Sequence, residues 1–187
     1  MKEPRPPDSP EILRTKLYPP LITADLVPRA DLLRHLEQDQ LRPVTLISAP
    51  AGYGKSVLAS MWLEASGLPA GWVSLDESDN DLHTFVSYLL AAIETAVSHT
   101  PLQTRAALQE HPLAQVDTLA HHLLADLDNI KTPFLLFLDD IHYIREQRVF
   151  DFLTALIKHP PPPASGACWS PRPLVAYCIL ARLSTNY

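Results

Sequence analysis

Long apolar runs are missing from this chain of 187 residues: nothing reaches the roughly 18 consecutive apolar residues that a bilayer-crossing helix needs. Its N-terminus, Met1-Lys2-Glu3-Pro4-Arg5-Pro6-Pro7, has no apolar signal core. Neither a membrane span nor secretion is expected, and the cytoplasm is the default compartment. A basic excess is missing too. Lys and Arg number 15 against 21 Asp and Glu, a net charge of −6, whereas a protein built to hold nucleic acid needs a basic face. Cysteine is scarce. Cys168 and Cys178 lie near the C-terminus without metal-type spacing to any histidine and receive no function. His121 and His122 are adjacent on an expected helix, so their rings diverge and cannot chelate together as an i, i+4 pair would.

Among what is present, 47% hydrophobic content at this length supports one sizeable α/β domain. The stretch Ser48-Ala49-Pro50-Ala51-Gly52-Tyr53-Gly54-Lys55-Ser56 carries the chemistry. It lies between a short apolar strand, Val44-Thr45-Leu46-Ile47, and a segment with helical spacing, Val57 to Leu63. Gly52 and Gly54 permit a tight turn that aims backbone N–H groups at phosphate oxygens, with the positive end of the helix behind them. Lys55 brings a point charge to the β- and γ-phosphates, and the Ser56 hydroxyl suits a Mg²⁺ ion. Ala49 stands where the usual pattern has Gly. A Gly-rich turn before an ordinary helix is the plain alternative, and the strand, the helix and the Lys-Ser pair weigh against it.

The rest of the chain reads as alternating elements. Residues 1–14 are rich in Pro and charge and read as a flexible arm, and 15–42 as a leader with an extended start. Val27-Pro28-Arg29 opens a short helix through Leu32, Leu33 and Leu36. Gly71 to Leu75 predicts a second strand, ending in the acidic turn Asp76 to Asp81. Phe85, Val86, Leu89, Leu90, Ile93 and Val97 predict a helix capped by Asn80 or Asp81. Helices are also expected over 102–110, from Asp117 to Ile130, and through Val149, Phe150, Leu153, Leu156 and Ile157. The continuous run Phe134 to Leu138 predicts a parallel strand buried on both faces, ending in Asp139-Asp140 where open α/β sheets place ligands. Asp139 fits the carboxylate that supports the nucleotide's Mg²⁺, and Asp140 a general base toward the γ-phosphate. A helix cap or turn is the plain alternative for Asp-Asp alone. No Asn-Lys-x-Asp guanine-reading segment occurs, so ATP is preferred over GTP.

Five blocks in order resemble one family: Thr15-Lys16-Leu17-Tyr18-Pro19-Pro20, Leu26-Val27-Pro28-Arg29, Leu46 to Ser56, Trp72 to Asp81, and Phe137-Leu138-Asp139-Asp140-Ile141-His142. The chain is similar, over about 15–160, to the ATP-dependent LuxR-type transcriptional regulators of the maltose-regulon activator group, whose motor belongs to the STAND class of signal-transduction NTPases. That family's loop commonly reads Ala-Pro-Ala-Gly-Tyr-Gly-Lys, which accounts for Ala49. The resemblance implies a three-layer P-loop NTPase with a mostly parallel sheet, here incomplete at the C-terminus. It implies ATP and Mg²⁺ as ligands and a switch in which ATP and an inducer favour a self-associating form that slow hydrolysis resets. Lys55 and Ser56 would bind ATP–Mg²⁺, Asp139 support the metal and Asp140 assist hydrolysis. Trp72 and the 76–81 turn would shape the domain, and Pro28-Arg29 lie near the nucleotide, although Arg29 alone reads as a surface arginine.

Family members continue into sensor repeats and a helix-turn-helix, so no direct DNA binding is expected of this chain. The domain is expected to span 43–159, truncated, with an atypical tail over 160–187 that is crowded with Pro and holds no acid. Two readings of that tail stand. One is an out-of-frame or truncated end. In the other, Leu174 to Leu180 supplies the strand that the NTPase class inserts between the loop strand and the Asp139 strand, and Arg182 senses the γ-phosphate. Two further functions are carried: a non-catalytic fragment acting as an interaction module, and a P-loop phosphoryl transferase, for which no acceptor site is evident.

Overall fold

The computed structural model describes residues 12–21, 29–38, 44–97, 102–110, 115–130, 132–158 and, by backbone alone, 175–182. Strand β3 (Phe134–Asp139) lies at its centre, with all six residues buried. Phe134, Leu136 and Leu138 point into one apolar cluster, and Leu135 and Phe137 into another. A strand covered on both faces has to be apolar at every position, which is why this run does not alternate. Three more strands, β1 (Val44–Ala49), β2 (Ala70–Ser74) and β4 (Val175–Arg182), join β3 in one parallel sheet of order β1-β4-β3-β2.

Helices cover both faces, giving the three-layer α/β architecture expected from the sequence. On one face α1 (Ala30–Gln38) and α2 (Lys55–Ser66) bring Leu33, Leu36, Ala59 and Trp62 against Trp72, Leu135 and Phe137. The Phe137 ring stacks on Trp72 at 5.1 Å and meets Trp62 edge-on at 5.8 Å. On the other face α3 (Leu82–Ala96), α4 (Gln103–Glu110), α5 (Val116–Asn129) and α6 (Gln147–Lys158) form the larger cluster around Phe85, Leu123 and Phe152. Helix α3 lies so close to β2 that a Cβ on Gly71 would stand 2.5 Å from the Ala92 carbonyl oxygen. Asp81, not Asn80, caps α3, its carboxylate accepting the Thr84 N–H at 2.9 Å. Asp126 of α5 accepts the N–H groups of Gln103 and Thr104 and so caps α4 from another helix.

Two segments bear on their reading in the sequence: one differs from it, and the other follows the strand placement of its second reading. The leader, read as extended, opens with a turn of 3₁₀ helix over Arg14–Leu17, and only from Tyr18 is it extended. The cause is tertiary. Lys16 is buried, paired with Asp76 and Asp79, and the Leu13 N–H donates to the Tyr88 hydroxyl at 3.2 Å. The second is the tail. Its residues 175–182 run as β4, pairing Ala49 with Arg182 on one side and Leu138 with Ile179 on the other, between the loop strand and the Asp139 strand. Residues 1–11, Pro28 and Cys168 lie outside the described residues.

Candidate nucleotide-binding site

Strand β1 ends at Ala49, and Pro50, Ala51, Gly52, Tyr53 and Gly54 turn the chain into α2. Gly52 and Gly54 hold the left-handed conformation, φ 79° and 72°, which a side chain would strain. The N–H of Tyr53 approaches the Pro50 carbonyl at 3.5 Å across the loop. The first turn of α2 holds no acid and has no side-chain cap, so its N–H groups are available to an anion. Lys55 opens that helix and is buried. Its Nζ donates to the carbonyls of Ala49 at 3.1 Å and Pro50 at 3.2 Å, spanning the loop from inside. The Arg29 guanidinium lies against this turn, 3.6 Å from where a Gly54 Cβ would be. Arg29 is exposed, as read from the sequence, and its guanidinium faces the loop.

At the end of β3, Asp139 is buried, with the Ser56 side chain beside its carboxyl. Burial pushes its carboxyl above the ordinary carboxylate range, and the charge of Asp140 adds to this; the nearby Ser56 hydroxyl, the Asp140 N–H and the Lys55 charge oppose without cancelling it. Asp140 donates its N–H to Asp139 Oδ1 at 2.9 Å and sits at φ 58°, the one positive-φ residue other than glycine among those described. A short turn follows, Ile141–Tyr143, in which the Tyr143 N–H returns to the Asp140 carbonyl at 3.0 Å. His142 Nδ1 lies 3.5 Å from Asp140 Oδ1, is buried and has no hydrogen-bond partner.

The structure thus brings Lys55, Ser56, Asp139 and Asp140 to the carboxyl ends of β1 and β3, and ends β4 at Arg182 beside them. Sequence reasoning assigned no role to His142, whose place beside Asp140 depends on the 3₁₀ turn. It also gave none to Lys16 or to the side chain of Asn80 beyond a cap. No cluster of three or more His, Cys, Asp or Glu side chains able to hold a metal occurs among the described residues, His121 and His122 included. Nor is any helix there long and apolar enough to cross a membrane.

Residues 26–167 match the AAA ATPase domain family. The chain is 33% identical over 150 residues to the HTH-type transcriptional regulator MalT of Klebsiella pneumoniae, and as similar to that of Serratia proteamaculans. To the MalT of Yersinia pestis it is 35% identical over 150 residues. Each alignment covers 80% of this chain and 16% of the relative, so the chain spans a small part of the length of these regulators. A phosphate loop, a buried carboxylate at the next-but-one strand of the sheet and a family match over most of its length agree, and the chain belongs to the AAA ATPase domain family.

Proposed function

We propose that this chain is the ATP-binding, slowly hydrolysing N-terminal module of a LuxR-type transcriptional regulator, a nucleotide switch of the STAND class. One observation carries the reading: at the uncapped start of α2 the buried Lys55 spends its charge on two neutral carbonyls, and the buried carboxylate of Asp139 ends the next-but-one strand. Lys55 is a cation with no acid bonded to it, at the start of a helix without a side-chain cap. That is the arrangement a polyphosphate completes.

The residues also fit Mg²⁺. A hydroxyl and a carboxylate are hard oxygen donors, and a magnesium ion is held by one or two carboxylates with phosphate oxygens and water. The raised proton affinity of Asp139 marks a carboxylate whose surroundings want positive charge. Ser56 and Asp139 would hold the ion. When bound, it neutralises charge on the β- and γ-phosphates.

In this reading Lys55 leaves its two carbonyls for phosphate oxygens, and the N–H groups at the start of α2 take others. Asp140 accepts the proton of the water that attacks the γ-phosphorus; the bond to the β-phosphate oxygen breaks and ADP leaves. His142 Nδ1, 3.5 Å from Asp140 Oδ1, stands within reach of that carboxylate. Arg29 from the leader and Arg182 at the end of β4 are the two arginines for phosphate charge, the first by its position on the loop and the second by its register opposite Ala49.

Equilibrium binding of Mg·ATP to the intact chain and to Lys55→Ala tests the site. The substitution is expected to weaken binding at least about 100-fold, the worth of two charge-assisted hydrogen bonds. Equal affinity in both chains refutes it. Asp140→Asn is expected to bind as the parent does and to turn over at least about 100-fold more slowly. Comparable turnover removes Asp140 from the chemistry.

A further inference from the structure

Asn80 commits its whole side chain. Its Nδ2 donates to the carbonyls of Tyr143 at 2.7 Å and Glu77 at 3.3 Å, and its Oδ1 accepts the N–H groups of Arg145 at 2.6 Å and Glu146 at 3.1 Å. Three of these four bonds cross to the loop that leaves Asp140. Capping α3 does not need them, since Asp81 does that. The loop has reason to need them. A left-handed Asp persists only where its surroundings hold it. Strand β3 fixes Asp140 from one side; on the other, Ile141 and Ile144 are buried in the core, and the polar backbone of Tyr143, Arg145 and Glu146 between and beyond them is bound by Asn80.

The residues before Asn80 are held in turn by the leader. Lys16 Nζ reaches Asp79 Oδ1 at 2.9 Å and Oδ2 at 2.8 Å, Asp76 Oδ2 at 2.8 Å and Ser78 Oγ at 3.3 Å, and lies 4.8 Å from the centre of the Tyr88 ring. Asp79 is wholly buried and its Oδ2 also accepts the Asp76 N–H at 2.8 Å. Two carboxylates this close repel unless a cation stands between them. The ammonium of Lys16 supplies that charge, and so the shape of the turn that presents Asn80.

We propose that Asn80 is a positioning residue for Asp140 and that Lys16 of the leader holds Asn80 in place, so that docking of the leader sets the geometry of the hydrolytic turn. The proposal rests on Asp140 as the proton acceptor in the function proposed above. Its structural half stands apart from nucleotide and can be measured without it.

Hydrogen–deuterium exchange on the intact chain is the direct test. Asn80→Ala is expected to speed exchange over 140–146 about tenfold, the loss of one to two hydrogen bonds from the closed state. Asn80→Asp keeps the acceptor and is expected to retain protection at Arg145 and Glu146. The paired change Lys16→Met with Asp79→Asn leaves no buried charge unpaired, Asp76 being half exposed, and is expected to speed exchange over 76–80 and over 140–146 together. Asp126→Asn weakens the α4 cap and serves as control, with faster exchange confined to 103–110. In turnover, Asn80→Ala is expected to lose about tenfold with Mg·ATP affinity unchanged, as a misplaced catalytic group does, and Asp126→Asn nothing. Unchanged exchange over 140–146 in Asn80→Ala overturns the proposal. So does a paired variant whose effect stops at 76–79. Absence of Mg·ATP binding or turnover in the parent chain counts against the function above, while the exchange pattern alone decides whether Asn80 holds the turn.

Discussion

The two halves of the site are built differently. The phosphate half hangs on β1, an edge strand whose residues are half-buried or exposed, Leu46 to 62%, and its chemistry is backbone N–H groups and one lysine. The carboxylate half stands on β3, buried on both faces. The difference extends to their charges. Lys55 has two neutral carbonyl partners for its donors, whereas Asp139 is buried with a like charge beside it. One half is thin in packing and electrostatically at rest, and the other is rigid and electrostatically strained. A ligand carrying both phosphate and metal relieves the second half and borrows the first.

The comparison breaks most easily on stability. Phe137→Ala removes a ring that touches Trp62 and Trp72 directly beneath Asp139 and is expected to cost about 3–5 kcal/mol. Leu46→Ala, one register position further along β1, is expected to stay within about 0.5 kcal/mol because the side chain is already in solvent. Urea unfolding measures both. Similar losses would mean that β1 is packed as firmly as β3.

A smaller effect separates two of the left-handed positions, one in each half of the site. Gly54→Ala forces a side chain into φ 72° and is expected to cost about 1–2 kcal/mol, all of it from the backbone, since Arg29 at 3.6 Å is in ordinary contact. Asp140 already sits at φ 58°, so Asp140→Gly relieves strain while adding freedom to the unfolded chain, and the net change is expected within about 0.5 kcal/mol. A large loss in Asp140→Gly would show that its carboxylate, rather than its neighbours, holds the turn. That would weaken the case for Asn80.

The same contrast governs what the sequence made legible. The loop could be read because its chemistry is local: glycines, lysine and serine are adjacent and a strand and helix flank them. Strand β3 could be read because burial on both faces leaves an unbroken apolar run. Lys16 could not. A lysine in a Pro-rich leader looks solvated, and its carboxylates lie some sixty residues away, so only the folded chain shows the pairing. Asn80 offered a cap, and Asp81 competed for the same task with a side chain equally suited to it; the bonds to Tyr143, Arg145 and Glu146 have no local signature. Strand β4 follows a run of prolines, and a segment of its length is a strand only if two neighbours accept it, which β1 and β3 do.

The smallest effect is the most specific to the strained half. Asp139 has its pKa raised chiefly by burial, so the folded state holds the proton to higher pH than the unfolded chain does. Stability from this group is therefore greatest below the ordinary carboxylate pKa and falls as pH rises through the raised one. Asp139→Asn removes the penalty while keeping an oxygen for the Asp140 N–H. In thermal melts without nucleotide, the variant is expected to melt with the parent in acid and above it at neutral pH, the gap opening as pH rises. Mg·ATP should then reverse the order, raising the melting temperature of the parent and not that of the variant, because the charge that costs stability alone is the charge that holds the metal. Were the two to melt alike across the range, Asp139 would carry no strain for a ligand to relieve, and the affinity of the site would have to come from the loop on the edge strand alone.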